Sequence, residues 1–571
     1  MKSETRRSRE SKVSHIAGFV GLTAIVILSI FISSFVRLRY DLTEDKRYTL
    51  SEPTKDILDN LENRILIQVF LDGEMPIGFK KLRRSVDDIL NEFRIFSNRK
   101  IDYEFINPAG GKVPEERAAF QEELAVRGIN PINVQAGDEE GGTSQKLIFP
   151  GLIINYNGAE VAVNFLRNNP GIHAEQNLAH SIEGLEYELI KTINTLTSDT
   201  IQRVAFIEGH GEISEIETGD IMLELARYFS VDRGIIGGIT GVLDSYSAVI
   251  IAGPTEKFDE SDKLVLDQYL MRGGKIVWLM DAIEVRSDSL ATGSTIGFYR
   301  ELGVEDMLFN YGVRINPVLV QDFDCLIIPI RAMSANESQS QYIPVPWLYY
   351  PLLHPSQESA ITRNINKVKS NFTGYVDTVG LDGTLKKSIL LTTAGPSRTL
   401  PPPVMIRLDE FRKQPPEAAF NQSSLPVALL VEGNFKSLFR NRIVSHLLQP
   451  GYELIKEGNK GAVIVVADGD VIRNEVRRMG SEMVPVPLGL DRYSMQTYGN
   501  KDFLVNAINY LADDKGLVEL RGREMKIRLT DRKRVKSLKL TLQIFNTAGP
   551  VLIVLLAGLL FSQIRRYRYG S

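Results

Sequence analysis

The sequence predicts an α/β protein of doubly wound, mainly parallel sheet domains, held between two single transmembrane helices. Three observations lead there. Uncharged runs of about twenty residues stand near both ends of the chain. Apolar runs of strand length alternate with helical patterns from Arg203 to Met280. The same rhythm opens the body, between Ile65 and Ile106. Strand, helix and strand in succession is the pattern of parallel sheets with crossover helices. At 571 residues the chain also exceeds what one hydrophobic core ordinarily serves.

The first uncharged run, Ile16 to Val36, defines a transmembrane helix over 15–36 after a basic tail at 1–14. Twenty-one residues at 1.5 Å each reach about 31 Å, the thickness of a hydrocarbon core. The run is longer than a signal-peptide core and ends at Val36-Arg37-Leu38-Arg39 with no small-residue cleavage pattern, so it reads as an uncleaved anchor. The second run, 544–564, is uncharged too, and its Pro550 stands near the first turn. A basic segment at 521–543 precedes it and a basic tail at 565–571 follows. Two spans place both termini on one side. The basic N-terminal tail makes that side the cytoplasm, which puts the bulk of the chain in the periplasm of an inner-membrane protein. The nine Lys and Arg residues of 521–539 pull the other way, but the first helix usually dominates orientation.

Between the spans, Ser51 and Pro53 open a helix whose buried stripe is Ile57, Leu58 and Leu61. A strand at Ile65–Leu71, a helix at Gly78–Phe96 and a strand at Ile101–Ile106 follow, similar to a thioredoxin-like half. The loop after the first strand, Asp72 to Pro76, has no cysteine, so redox chemistry is not expected. Asn157-Gly158 marks a hairpin between Leu147–Tyr156 and Glu160–Phe165. One long helix is expected over 174–197, completing an N-terminal periplasmic α/β domain at 37–199. In the second domain, 200–520, strands at Val204–Ile207, Ala248–Ala252 and Lys275–Met280 alternate with helices at Gly219–Phe229 and Asp262–Arg272. Its later part alternates more weakly, with Pro-rich loops at 344–355 and 396–403.

In a doubly wound sheet the loops after the strands share one edge, where ligands sit. Glu208, His210 and Asp281 occupy those loops and are the candidate ligand-binding residues. A histidine between carboxylates can bind a metal or act as a base, but glycine turns around a hydrogen-bonded histidine explain the loop better. One histidine with glutamates matches no specific zinc pattern, and no metal or cofactor is expected. No catalytic residue is assigned. Cys325, the sole cysteine, lies beside Asp322 and Asp324, which raise a thiol's pKa. His173 and His180 fit a helix and its capped start, and Asp468, Asp470 and Asp491 fit acidic turns without the EF-hand frame. No P-loop occurs, so the chain does not itself bind ATP that way. Of 67 basic and 71 acidic residues, eight bases and two acids stand in the tails, leaving an acidic body unsuited to nucleic acid.

Several strings together resemble one family. They include Tyr48-Thr49-Leu50-Ser51, Ile207-Glu208-Gly209-His210-Gly211-Glu212 and Leu430-Val431-Glu432-Gly433-Asn434-Phe435. Others are Ala467-Asp468-Gly469-Asp470-Val471-Ile472, Tyr498-Gly499-Asn500-Lys501-Asp502-Phe503 and Arg521-Gly522-Arg523-Glu524. The chain is similar, from about Asp41 to Arg568, to the GldG family of gliding-motility-associated auxiliary subunits of Bacteroidetes ABC transporters. The resemblance implies an ABC ATPase subunit, a permease subunit and envelope or gliding-machinery proteins as partners. It also implies an amidotransferase-like domain at 200–520, without the cysteine nucleophile of true amidotransferases. The function expected is thus a non-catalytic, membrane-anchored, substrate-binding-like subunit serving gliding motility or envelope secretion. A tethered solute receptor using Glu208, His210 and Asp281, or an envelope hydrolase on the same loops, are the alternatives.

Overall fold

The computed structural model describes residues 49–110, 113–137, 143–166, 174–198, 200–290, 292–333, 340–380, 383–412, 415–522 and 532–569, with five residues between 21 and 28. The described residues fall into two compact units, divided between Arg523 and Glu524.

The first unit begins with helix α1 (Glu52–Asp59). Ser51 caps it, its hydroxyl accepting from the Thr54 amide at 3.2 Å, and Pro53 fills the first turn. Strand β1 (Ile65–Val69), helix α2 (Ile77–Phe96) and strand β2 (Ile101–Phe105) follow. Leu82, Val86, Leu90 and Phe93 form the buried stripe of α2. After helix α3 (Pro114–Val126) come β3 (Ile132–Gly137), β4 (Thr143–Ile148), β5 (Gly151–Tyr156) and β6 (Ala159–Asn164). The four-stranded sheet runs β2-β1-β5-β6, with β1 parallel to β2 and antiparallel to β5. Asn157 and Gly158 both take positive φ, 51° and 86°, which is what a two-residue hairpin turn between β5 and β6 needs. The expected long helix is two: α4 (Ala174–Glu183) and α5 (Leu185–Thr197) meet at Gly184. Glu186 of α5 accepts from the Ser51 amide and the Thr54 hydroxyl, tying α5 to the start of α1.

The larger sheet then begins with β7 (Arg203–Glu208), α6 (Gly219–Leu225), β8 (Ser230–Ile235), β9 (Ala248–Ala252), α7 (Glu260–Met271) and β10 (Lys275–Leu279). It continues through β11 (Cys325–Met333), β12 (Ser340–Pro355), β13 (Leu385–Thr392), β14 (Pro426–Lys436) and β15 (Glu457–Val466), and helix α8 (Asn500–Ala512) packs against it. The strand order is β11-β12-β13-β14-β15-β10-β9-β7-β8, with Val368–Lys369 paired to β12. Only β15, β10, β9, β7 and β8 are mutually parallel. From β15 outward to β11 every pairing is antiparallel.

The expected doubly wound, mainly parallel architecture, with its thioredoxin-like and amidotransferase-like parts, is therefore corrected. The described residues form a mixed ten-stranded sheet, a mixed four-stranded sheet and several small antiparallel sheets. Strand–helix alternation enforces parallel crossovers only as far as β10. Beyond it, the strand runs β11 to β15 follow one another without crossover helices and pair with each other as antiparallel neighbours, while β15 also returns parallel to β10.

Both faces of the large sheet are covered. Val204, Phe206, Ile250 and Val277 pack with α6 and with Phe503, Leu504 and Ile508 of α8. Ala205, Val249, Ile251 and Trp278 pack with Val265, Leu266 and Tyr269 of α7. Every residue of α7 from Asp262 to Met271 is buried, which explains why it shows no amphipathic stripe. Its buried Asp267 accepts from Tyr311 Oη at 2.7 Å, Ser437 Oγ at 2.6 Å and the Leu438 amide at 2.8 Å.

The second unit contains α9 (Arg532–Tyr569). Within it, Gln543–Ile564 is the one helix among the described residues long and apolar enough to cross a membrane. Of the expected first span, 15–36, only Gly21, Thr23, Ala24, Ile25 and Leu28 are described, and the basic tail before it and 523–531 of the basic segment lie outside the described residues. Two spans therefore reduce to one on the described residues.

Candidate functional site

The loops that leave the carboxyl ends of β7, β9, β10 and β15 meet at one edge of the sheet, and they carry all three candidate residues. Backbone bonds weld them together. The Ile213 amide donates to Ala252 O, the Gly253 amide to Leu279 O, and the Met280 amide to Val466 O. Glycine is required where the loops touch: a Cβ on Gly469 would lie 3.0 Å from Gly253 Cα and 2.7 Å from an Asp281 carboxylate oxygen.

Glu208, His210 and Asp281 each engage a different protein partner. Glu208 ends β7 and pairs sideways with Arg233 of β8. His210 is 4% exposed, and its Nδ1 and Nε2 lie 3.1 Å from Glu212 and 3.0 Å from Asp262. Its ring stacks on Phe258 at 3.6 Å and 12°. Its carbonyl accepts from the Thr255 and Glu256 amides, both at 2.8 Å. Burial pulls the imidazole pKa down, but the hydrogen bonds and charges of Asp262 and Glu212 outweigh it and raise it to about 9. The ring is thus a cation with both N–H groups occupied, a clasp between β7 and the start of α7. Such a histidine cannot offer a lone pair to a metal or take a proton from a substrate.

Asp281 belongs to a separate acidic group. Its Oδ1 accepts from the Gly469 amide at 2.9 Å, and Arg300 Nη1 stands 3.9 Å from its Oδ2. Asp468, fully buried, accepts from the Asn371 amide and the Asp470 amide, each at 2.8 Å. Burial, then the Asp470 charge, raise Asp281 to about 7 against the pull of Gly469, Arg300 and Arg473. Burial and the charges of Asp281 and Asp470 push Asp468 well above the usual carboxylate range. Asp281 and Asp468 thus hold their protons more tightly than ordinary carboxylates do. No set of three or more His, Cys, Asp or Glu residues that could hold a metal occurs among the described residues.

The remaining candidates fall elsewhere. Cys325 starts β11, and burial followed by the charges of Asp322 and Asp324 pushes its thiol up to about 12. His180 lies in α4, and His173 is outside the described residues. Asp491 closes its own turn, accepting from the Ser494 amide at 3.0 Å. Sequence reasoning passed over Asp262, the partner that fixes His210, because fifty-two residues separate them and no motif links them. It also passed over Asp267, whose burial on both sides of α7 leaves no periodic signal.

Comparison with known proteins adds one assignment. The family described as an ABC-type uncharacterized transport system matches residues 202–507, more than half of the chain. A domain of unknown function matches residues 44–155. No curated protein matches the chain. Among solved structures, the mmIFT52 N-terminal domain is similar at 14% identity over 54% of this chain and 97% of that one. Its TM-score of 0.31 is too low to bear on the fold.

Proposed function

The chain belongs to the ABC-type uncharacterized transport system family, and from that premise we propose that it is a non-catalytic, membrane-anchored subunit of an ABC transport complex. The observation that carries the reading is the combination, in one chain, of that family region at 202–507 with an apolar helix at Gln543–Ile564. An anchor that holds the body at the bilayer suits a protein that works on a fixed membrane partner more than a freely diffusing solute receptor. The partners proposed are an ATPase subunit and a permease subunit, with envelope or gliding-machinery proteins beyond them. The role proposed is in gliding motility or envelope secretion, the activity implied by the GldG-like strings. A first anchor over 15–36 and the basic tail before it support a periplasmic body, divided at about residue 200, with both termini in the cytoplasm.

A solute site built from Glu208, His210 and Asp281 receives less support, since each is bound to a different protein partner. Absence of catalysis rests on the same occupied groups, above all on His210. Affinity purification of the intact protein in mild detergent tests the reading. Recovery of an ATPase and a multi-span permease in fixed ratio is expected. Recovery of the chain without either would refute it.

A further inference from the structure

A second site lies far along the chain from those loops, where two short strands, Ser397–Leu400 and Val404–Arg407, bend around Pro401–Pro403. They enclose an open recess of about 370 Å³. That volume falls in the range of small-ligand sites. Leu400, Val404 and Met405 give it apolar walls, and Tyr349, Arg398 and Glu410 give it polar ones.

The polar groups are fixed in place. Arg398 donates from Nε to Gln321 at 2.6 Å, and Gln321 is itself 1% exposed. The guanidinium also lies over the Phe420 ring, 5.2 Å from its centroid. Among the described residues no carboxylate forms a close ion pair with Arg398, although the Glu410 charge acts on it through space. Glu410 is held by Tyr349 Oη at 3.0 Å and by the Arg407 amide at 3.2 Å. Burial raises its pKa despite those bonds and the nearby Arg398.

We propose that this recess binds a small monocarboxylate with an apolar body, its carboxylate on the Nη edge of Arg398 and its body against Leu400, Val404 and Met405. A guanidinium with Nε already engaged presents two parallel N–H groups, the fork that a planar carboxylate matches. Glu410 beside it repels a second negative charge, so a dianion is rejected. The site is independent of the transporter reading and of the strand-end loops.

The test is titration calorimetry on the full-length protein in nanodiscs, with empty nanodiscs as the blank. The probes are N-acetyl-L-phenylalanine, its amide and phenyl phosphate. The acid is expected to saturate the protein and to bind at least tenfold more tightly than the amide. Arg398→Gln should abolish that preference in a protein that still folds by circular dichroism, at some cost in Tm from the lost Gln321 bond. Met405→Glu, at a side chain 55% exposed, should weaken both ligands by removing an apolar wall, and the acid several-fold more than the amide. Phenyl phosphate should bind the Glu410→Gln variant better than the wild type. Equal affinity for acid and amide, indifference of the acid to both Arg398→Gln and Met405→Glu, or no heat above the blank at millimolar ligand would overturn the proposal.

Discussion

Replacing His210 with glutamine perturbs the clasp at the strand-end loops in a way that pH can resolve. The folded pKa of about 9 against an ordinary 6.5 means that folding strengthens proton binding. A group raised in this sense adds stability that is complete below about pH 6.5 and fades as pH climbs through about 9. The full shift would correspond to roughly 3 kcal/mol, which relaxation around the buried charges lowers to about 2 kcal/mol. His210→Gln should therefore lose about 2 kcal/mol more at pH 6 than at pH 10, beyond any constant cost of the lost stacking on Phe258. Chemical denaturation of wild type and variant from pH 5.5 to 10 reads this difference directly. A wild-type profile that stays flat from pH 6.5 to 9, or one with the same slope as His210→Gln, would show that the ring is neutral in the fold.

Three further outcomes follow from particular contacts. Asp267→Ala leaves Tyr311, Ser437 and the Leu438 amide without their shared acceptor, so about 3–5 kcal/mol of stability should be lost. A denaturation midpoint shift worth under 1 kcal/mol would contradict the buried network. Gly158→Val forces a β-branched residue to φ 86° in open space, and should cost about 1–2 kcal/mol through backbone strain alone. An unchanged Tm would disprove the turn type. With its pKa at about 12, Cys325 should react with a maleimide at pH 8 about a thousandfold more slowly in the folded protein than after denaturation. Equal rates would place the thiol in solvent.

Local structure was legible in the sequence wherever one residue type dictates one conformation. Ser51 and Pro53 announced α1, Asn157-Gly158 announced the β5–β6 turn, and the run Ala248–Ala252 emerged as a strand with every residue buried. Strand β8 was missed because Ser230–Ile235 is half exposed at a sheet edge and contains Asp232, Arg233 and Gly234. The direction of the later strands was illegible for a different reason. Parallel pairing is visible through the helix it requires, whereas β11 to β14 pair according to loop paths that leave no periodic trace. At the candidate loops the sequence located the residues along the chain but not their partners. Asp262, Arg233 and the Gly469 amide, which decide what His210, Glu208 and Asp281 do, come from distant segments. The Arg398 recess gave no sequence signal either, since Gln321, Tyr349, Arg398 and Glu410 meet only through the antiparallel half of the protein.

Quantitative mass spectrometry of the affinity-purified native complex, solubilised in mild detergent, addresses the central reading most directly. An ATPase subunit and a multi-span permease subunit present in stoichiometric amounts is the predicted result. A purified chain accompanied by neither subunit, with the apolar helix at 543–564 intact, would contradict membership in a working transporter.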